Sequence, residues 1–249
     1  MSIKIRSAAP EDPVAPFVQS FWMLENDSMN DIPSTVLPDG IVDLILFRSA
    51  SDPFKMVLRG IDTEPSQVVI AAGTRMFAIG FKLPAIEYLF HAPIAGSLNG
   101  AGTLSNEFWQ FGPGDLEDFG RLCEKATWKI RSVPTEGMDS RKKNLFDLIY
   151  ASNGSLSVKT LSEEVYWSSR QINRYFNQQF GISLKAYCKI LRFRASFEHI
   201  RQGKLFPEQN FFDQAHFIKE VKKLSGVLPK ELKENKNGRF LQFTTLPNK

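Results

Sequence analysis

"WSSRQINRYFNQQFG", residues 167–181, sets a serine three positions ahead of a glutamine and closes on a glycine. Ser168 with Gln171 is a capping-box pattern, in which each side chain can bond the other's backbone amide, and Gly181 supplies the left-handed residue that ends a helix. Between them Ile172 and Phe176 stand four apart, so they share a helix face and bury together. Arg170, Asn173, Arg174 and Asn177 are left on the opposite side. A guanidinium presents a planar fork of donors that fits guanine O6 and N7, and an asparagine amide fits adenine N6 and N7. Glutamines 171, 178 and 179 and Lys185 suit phosphate or solvent at the edges. The plainer reading of this stripe is a polar helix face wetted by water.

A second stretch, "NFFDQAHFIKEVKKLSG" (210–226), repeats the rhythm. Asp213 and His216 could be an acid and an imidazole placed for proton transfer. Asp213, however, stands where Ser168 stands, Phe217 and Val221 where Ile172 and Phe176 stand, and Gly226 where Gly181 stands. It is therefore read as a cap accepting from the free amides of its own helix. Ahead of the first stretch, "SVKTLSEEV" (157–165) places Ser157 as N-cap and Val158, Leu161 and Val165 on one face. The result is a helix–turn–helix, preceded by a helix in "RKKNLFDLIYASNG" (141–154). A connecting helix over roughly 183–202 would bury Tyr187, Ile190, Leu191, Phe197 and Ile200. Lys189, Arg192, Arg194 and Arg201 would be left for ion pairs or phosphate.

The segments "SLSVKTLSEEVYWSSRQINRYFNQQFGISLKAYCKILRFRAS" and "NFFDQAHFIKEVKKLSGVLPKEL" resemble the AraC family of bacterial transcription regulators. The resemblance implies two helix–turn–helix units joined by a long helix, with recognition helices entering successive major grooves about 34 Å apart. It places Arg170, Gln171, Asn173, Arg174 and Asn177 on the first recognition helix, and Gln214, Ala215, His216 and Lys219 on the second. The partners it implies are double-stranded DNA, RNA polymerase, a small-molecule effector and a second copy of the chain. Asn210, Ser162, Leu184 and Leu232 depart from the family pattern. So does the span from Ser196 to Asn210, shorter by about one helical turn and interrupted by Pro207.

The first half reads differently. "FVQSFWMLEN" (17–26), "IVDLILFRS" (41–49), "FKMVLRG" (54–60), "SQVVIAAG" (66–73) and "MFAIGFKL" (76–83) are short, β-branched or aromatic, and bounded by Pro, Gly or Asp. Helices are expected at 84–91, where Pro84 suits a first turn, and at 115–130. The predicted fold is thus α+β in two domains, a strand-rich barrel-like unit over 1–135 and an all-helical unit over 136–249, each with its own core. The boundary falls in "RSVPTEGMDS" (131–140). A weaker resemblance to family sensor or dimerisation domains rests on "LPDGIVDLILF" and "FAIGFKLPAIEYLF". Phe21, Trp22, Phe77, Phe81, Tyr88 and Trp109 are the candidate effector-pocket aromatics, with ordinary core as the alternative.

Charge divides along the same line. Residues 1–135 carry 11 Lys+Arg against 16 Asp+Glu, a balance of −5, and residues 136–249 carry 20 against 11, a balance of +9; together these give the net +4. A basic helical half suits a polyanion. No enzymatic constellation is found. The histidines at 91, 199 and 216 lack metal-ligand spacing, and there is no glycine-rich phosphate loop or nucleophile elbow. Cys123 and Cys188, read as small buried side chains, suit neither a disulfide framework nor a zinc cluster. No cofactor or metal is expected, no membrane span of about 20 apolar residues is found, and the expected compartment is the cytoplasm. The other class left open is a degenerate regulator that dimerises or binds a protein without touching DNA.

Overall fold

The computed structural model describes residues 3–105, 107–133, 137–204, 211 and 213–245. Eight strands come first: β1 Ile3–Ala8, β2 Val18–Asn26, β3 Ile32–Val36, β4 Val42–Arg48, β5 Lys55–Arg59, β6 Ser66–Ile70, β7 Arg75–Phe81 and, after helix α1 Pro84–Leu89, β8 Ala101–Leu104. The helices that follow are α2 Phe119–Arg131, α3 Ser140–Ala151, α4 Val158–Glu164, α5 Ser169–Phe180, α6 Leu184–Ala195, α7 Phe197–Arg201, α8 Gln214–Ser225, α9 Pro229–Glu234 and α10 Leu241–Thr245. A strand-rich half and a helical half are both present. β1, β3 and β8 were not expected: β3 contains Pro33, which suits only an edge position, and β8 is the weak "AGTL".

Six strands form one antiparallel sheet in the order β1-β2-β7-β4-β5-β8, and β3 pairs with β6 in a second, two-stranded sheet. Because side chains alternate across a strand, the six-stranded sheet sorts its residues into two layers. Phe21, Met23, Leu44, Leu46, Phe77, Ile79 and Phe81 lie on one face and are buried. Trp22, Ile45, Val57 and Met76 lie on the other, toward β3 and β6, around a cavity of about 460 Å³. Asn26, wholly buried, joins the sheets by donating to the Ile70 carbonyl at 3.1 Å.

The expected separation into two cores does not hold. Most buried side chains form one contiguous cluster running from Val14 in the first half to Phe243 in the second, with Leu24, Ile32 and Ile70 apart from it. Polar contacts cross the same seam. The Leu83 amide donates to Tyr150 Oη at 2.9 Å, the Tyr150 and Tyr187 hydroxyls are 3.0 Å apart, and Tyr187 Oη donates to the Gly40 carbonyl at 3.1 Å. Since Tyr187 spends its proton on Gly40, Tyr150 must donate to Tyr187, giving a one-directional chain of three bonds. Gly40 allows this approach twice over. Its φ of +75° is left-handed, and a Cβ there would stand 3.1 Å from both Tyr187 and Leu191. Burial pushes the Tyr150 hydroxyl up to about 12 and that of Tyr187 well above its ordinary value, so both keep their protons.

The chain end also returns to the sheet half. Gln242 bonds the Leu37 amide and carbonyl, each at 2.9 Å, and the Thr35 amide donates to the Arg239 carbonyl at 2.7 Å. The expected connecting helix is broken at Ser196 into α6 and α7. There the Ser196 Oγ and amide both turn back to the Phe193 carbonyl, at 2.6 and 3.0 Å, which tightens the last turn. The bend brings Phe197 against Phe193 on one side and Phe243 of α10 on the other, with ring centroids 4.8 and 5.1 Å apart. Cys188 is buried, as expected, and Cys123 only half-buried.

Candidate nucleic-acid interface

Helix α5 starts as its sequence requires. Ser168 Oγ accepts from the Gln171 amide at 3.3 Å, Gln171 Oε1 accepts from the Ser168 amide at 3.1 Å, and Gly181 ends the helix at φ +73°. Ahead of it, α4 buries Leu161 and Val165, and Ser162 Oγ donates to the Trp167 carbonyl at 2.9 Å to close the turn between the two helices. Ile172 and Phe176 are fully buried. Phe176 packs among Phe146, Phe180 and Tyr187 with centroids 5.2 to 5.9 Å away. This packing fixes which side of α5 faces water.

On that side Arg170 and Arg174 are exposed and make no hydrogen bond or ion pair with any described residue. The other three candidates are partly committed. Gln171 spends its oxygen on the capping box. Asn173 is half-buried: its Nδ2 donates to the Ser169 carbonyl at 2.9 Å, and its Oδ1 accepts from the Leu184 amide at 3.3 Å at the start of α6. Each end keeps one further hydrogen or lone pair, but the two bonds hold the half-buried side chain against the start of α6. It therefore stands at the edge of the open stripe, as a brace between α5 and α6. Asn177 is exposed and donates to the Asn173 carbonyl at 2.8 Å, which leaves its oxygen open. Gln178 joins the exposed side.

The second copy keeps the same frame 45 positions on. Asp213 accepts from the His216 amide at 2.7 Å, so the aspartate is a helix cap. Phe217 and Val221 are buried, and Gly226 ends α8 at φ +76°. Gln214, Ala215 and Lys219 are exposed. His216 is turned aside: its ring lies half-buried 5.9 Å from that of Phe211, with Nδ1 enclosed and without a hydrogen-bond partner among the described residues. The sequence reading put it on the exposed stripe, but it sits on the shoulder of the helix against an aromatic. Lys222 and Lys223, not singled out from sequence, occupy the exposed side instead. The signal was available, because they fall 45 positions after Asn177 and Gln178. The span from 205 to 210, which holds Pro207 and where the sequence shows no clear first helix for this unit, lies outside the described residues.

The cations assigned to the connecting helix have separate fates. Lys189 pairs with Glu220 of α8 at 3.3 Å, Arg201 pairs with Glu198 at 2.9 Å, and Arg192 donates to the Gly154 carbonyl at 2.5 Å. Arg194 lines the cavity of the sheet half. The side of α5 away from Arg170 is tied to that half. Tyr175 Oη donates to Glu87 of α1 at 2.7 Å, Lys142 of α3 pairs with the same carboxylate, and the Ile94 amide donates to the Gln179 carbonyl at 2.8 Å.

Of the six candidate pocket aromatics, only Trp22 reaches the cavity. Phe21 and Phe77 stack on the opposite face of the sheet with centroids 6.3 Å apart, and Phe81 packs edge-on against Phe90 and Trp109. Tyr88 is on α1, which covers that same face. The reason is the two-residue period: neighbours 21 and 22 on one strand cannot share a side. The polar cavity residues Asp39, Asp43, Arg59 and Arg194 were not singled out for this role.

Residues 6–100 match a family model described as a domain of unknown function, DUF6597. No curated protein sequence matches the chain. Among solved structures, the chain is similar to unsaturated fatty acid bound wild-type ToxT from Vibrio cholerae strain SCE256, at 12% identity over 95% of this chain and 96% of that chain, with a TM-score of 0.43. It is also similar to ToxT from Vibrio cholerae O395, at 13% identity over 95% and 98%, with a TM-score of 0.42.

Proposed function

We propose that the chain is a sequence-specific DNA-binding transcription regulator of the AraC type, with the helical half as reader and the sheet half as its sensing or dimerisation unit. The observation that carries this reading is the pair Arg170 and Arg174, held outward and uncommitted on a capped helix whose other side is buried. A side chain of this kind costs conformational entropy to order and contributes little to the fold when exposed, whereas its planar fork suits a base edge or a phosphate. The second unit supports the reading with Lys219, Lys222 and Lys223 on the equivalent side of α8. Ammonium groups act as point charges, so this unit contributes phosphate contacts and the first unit contributes the base contacts.

Control follows by population shift. A ligand or partner on the sheet half favours the arrangement of α5 and α8 that fits the site, through the Glu87 and Tyr187 contacts across the seam. The first test is selection of bound DNA from a random pool, followed by gel shift of the selected duplex at 50 and 200 mM salt. Binding that falls steeply with salt is expected. Absence of salt-dependent affinity for any DNA would sink the regulator reading and leave the protein-interaction module. Binding equal to the parent's by both Arg170→Ala and Arg174→Ala would sink the assignment of α5.

A further inference from the structure

The cavity between the two sheets has an unusual floor. One cross-strand row runs through Ser20, Gly80, Asp43 and Arg59 on β2, β7, β4 and β5. Gly80 leaves room there, since a Cβ would stand 3.1 Å from Ile41 and 3.4 Å from the Asp43 carboxyl oxygen. Arg59 is the natural cross-strand partner of Asp43, but its guanidinium is committed elsewhere. It bonds both oxygens of Asp62, at 2.9 and 3.0 Å, and Ser66 Oγ at 2.6 Å. No Lys or Arg among the described residues forms an ion pair with Asp43. Trp22 gives it one hydrogen bond, and Asp39, whose carboxylate accepts from the Ile41 amide at 3.0 Å, adds a second acid to the wall.

The rest of the lining is mostly apolar, including Leu24, Ile45, Val57 and Ile70. An enclosed hydroxyl points the same way. Ser34 on β3 is 1% exposed, its Oγ has no hydrogen-bond partner among the described residues, and it shares a strand face with Val36, which lines the cavity. A carboxylate without an ion-pair partner and an enclosed hydroxyl without a hydrogen bond, on the walls of one apolar space, mark where a ligand's polar atoms belong. We propose that this cavity binds a small apolar molecule bearing a protonated amine, whose nitrogen pairs with the Asp43 carboxylate. The helical half completes the site, through Arg194 of α6, Phe197 of α7 and Leu241 and Gln242 of α10. Binding rests on the cavity alone; its effect on DNA affinity rests on the regulator reading above.

Burial, reinforced by Asp39, pushes the Asp43 carboxyl up to about 7, so near neutrality Asp43 carries a proton that an ammonium ion would displace. The charged groups around it are Asp39, Arg59, Asp62 and Arg194. The test is calorimetric titration of the full chain with 2-phenylethylamine, 2-phenylethanol and phenylacetate. The amine should bind tightest, and its affinity should fall about tenfold from pH 8 to pH 6 as the proton competes, because the amine itself stays charged throughout. Asp43→Asn should lose at least tenfold in amine affinity at pH 8. That variant should also melt at a higher temperature than the parent at pH 8 and at the same temperature near pH 4. The native carboxyl holds its proton to about 7 and the unfolded one only to about 3.9, so the stability penalty grows as pH rises between the two. The proposal is overturned if the alcohol or the carboxylate binds as tightly as the amine, if Asp43→Asn retains parental amine affinity, or if none of the three binds. Amine binding that leaves DNA affinity unchanged supports the site and removes its regulatory role. Failure to bind DNA at all bears on the reader and leaves the amine result standing.

Discussion

The two helix–turn–helix units share a cap, a buried pair and a left-handed glycine, yet where the first exposes Arg170, Arg174, Asn177 and Gln178, the second exposes Ala215, Lys219, Lys222 and Lys223. Scaffold and chemistry are therefore separable. The apolar positions and caps set the direction of each exposed side, and the residues on it are free to differ because the fold does not use them. A planar fork recognises an edge, whereas an ammonium recognises a charge wherever it lies. The units also differ in support. Phe176 sits inside an aromatic group joined through Tyr187 to the sheet half, whereas Phe217 meets Phe211 at 5.0 Å.

The support difference gives the largest expected effect. Phe176→Ala should cost about 3–5 kcal/mol and lower the melting temperature of the whole chain, because its cavity opens within the shared core. Phe217→Ala should cost less globally and loosen mainly α8, as read by hydrogen exchange. Equal losses in a single transition would show that the units are equally anchored. Next, Arg170→Ala or Arg174→Ala should cost about 1–3 kcal/mol of binding to the selected duplex and relax preference at one half-site only. A uniform loss over all sequences would make these side chains phosphate contacts like the lysines.

The caps provide a smaller comparison. Ser168→Ala and Asp213→Ala should each cost about 1 kcal/mol of stability in thermal melts, by freeing one amide at the start of α5 or α8. No loss at Asp213 would show that α8, unlike α5, does not depend on its cap. The smallest effect belongs to Lys219→Ala and Lys222→Ala. Each should weaken binding a few-fold on every duplex and reduce the slope of log affinity against log salt by about 0.9. A sequence-dependent change there would erase the contrast between the two units.

The seam accounts for much of what the sequence left unread. Tyr150, Tyr187 and Gly40 lie far apart along the chain and become one hydrogen-bonded path only when the halves pack. Periodicity within a helix shows that Tyr187 is buried but not against what. Asn173 makes the same point at the site: its place beside the arginines is legible, but its commitment depends on where the Leu184 amide arrives. His216 is displaced by Phe211, a neighbour whose approach local spacing does not specify. In the sheet half, the expected pocket aromatics divide between two faces by alternation, a rule available from sequence once Phe21 and Trp22 are placed on one strand.

Local chemistry determined the strands from β2 to β7 apart from β3, the helices from α1 to α5, α8 with its cap, and the outward direction of Arg170 and Arg174. These depend on neighbours within about one turn or one strand pair, and such information is written in order along the chain. Tertiary structure alone decided that the two halves share a core, that the connecting helix breaks at Ser196, and that Asp43 lacks a counter-ion because Asp62 holds Arg59. Each of these outcomes is a competition among groups distant in sequence. Burial makes the loss of a partner costly, and only the packed chain shows which group loses.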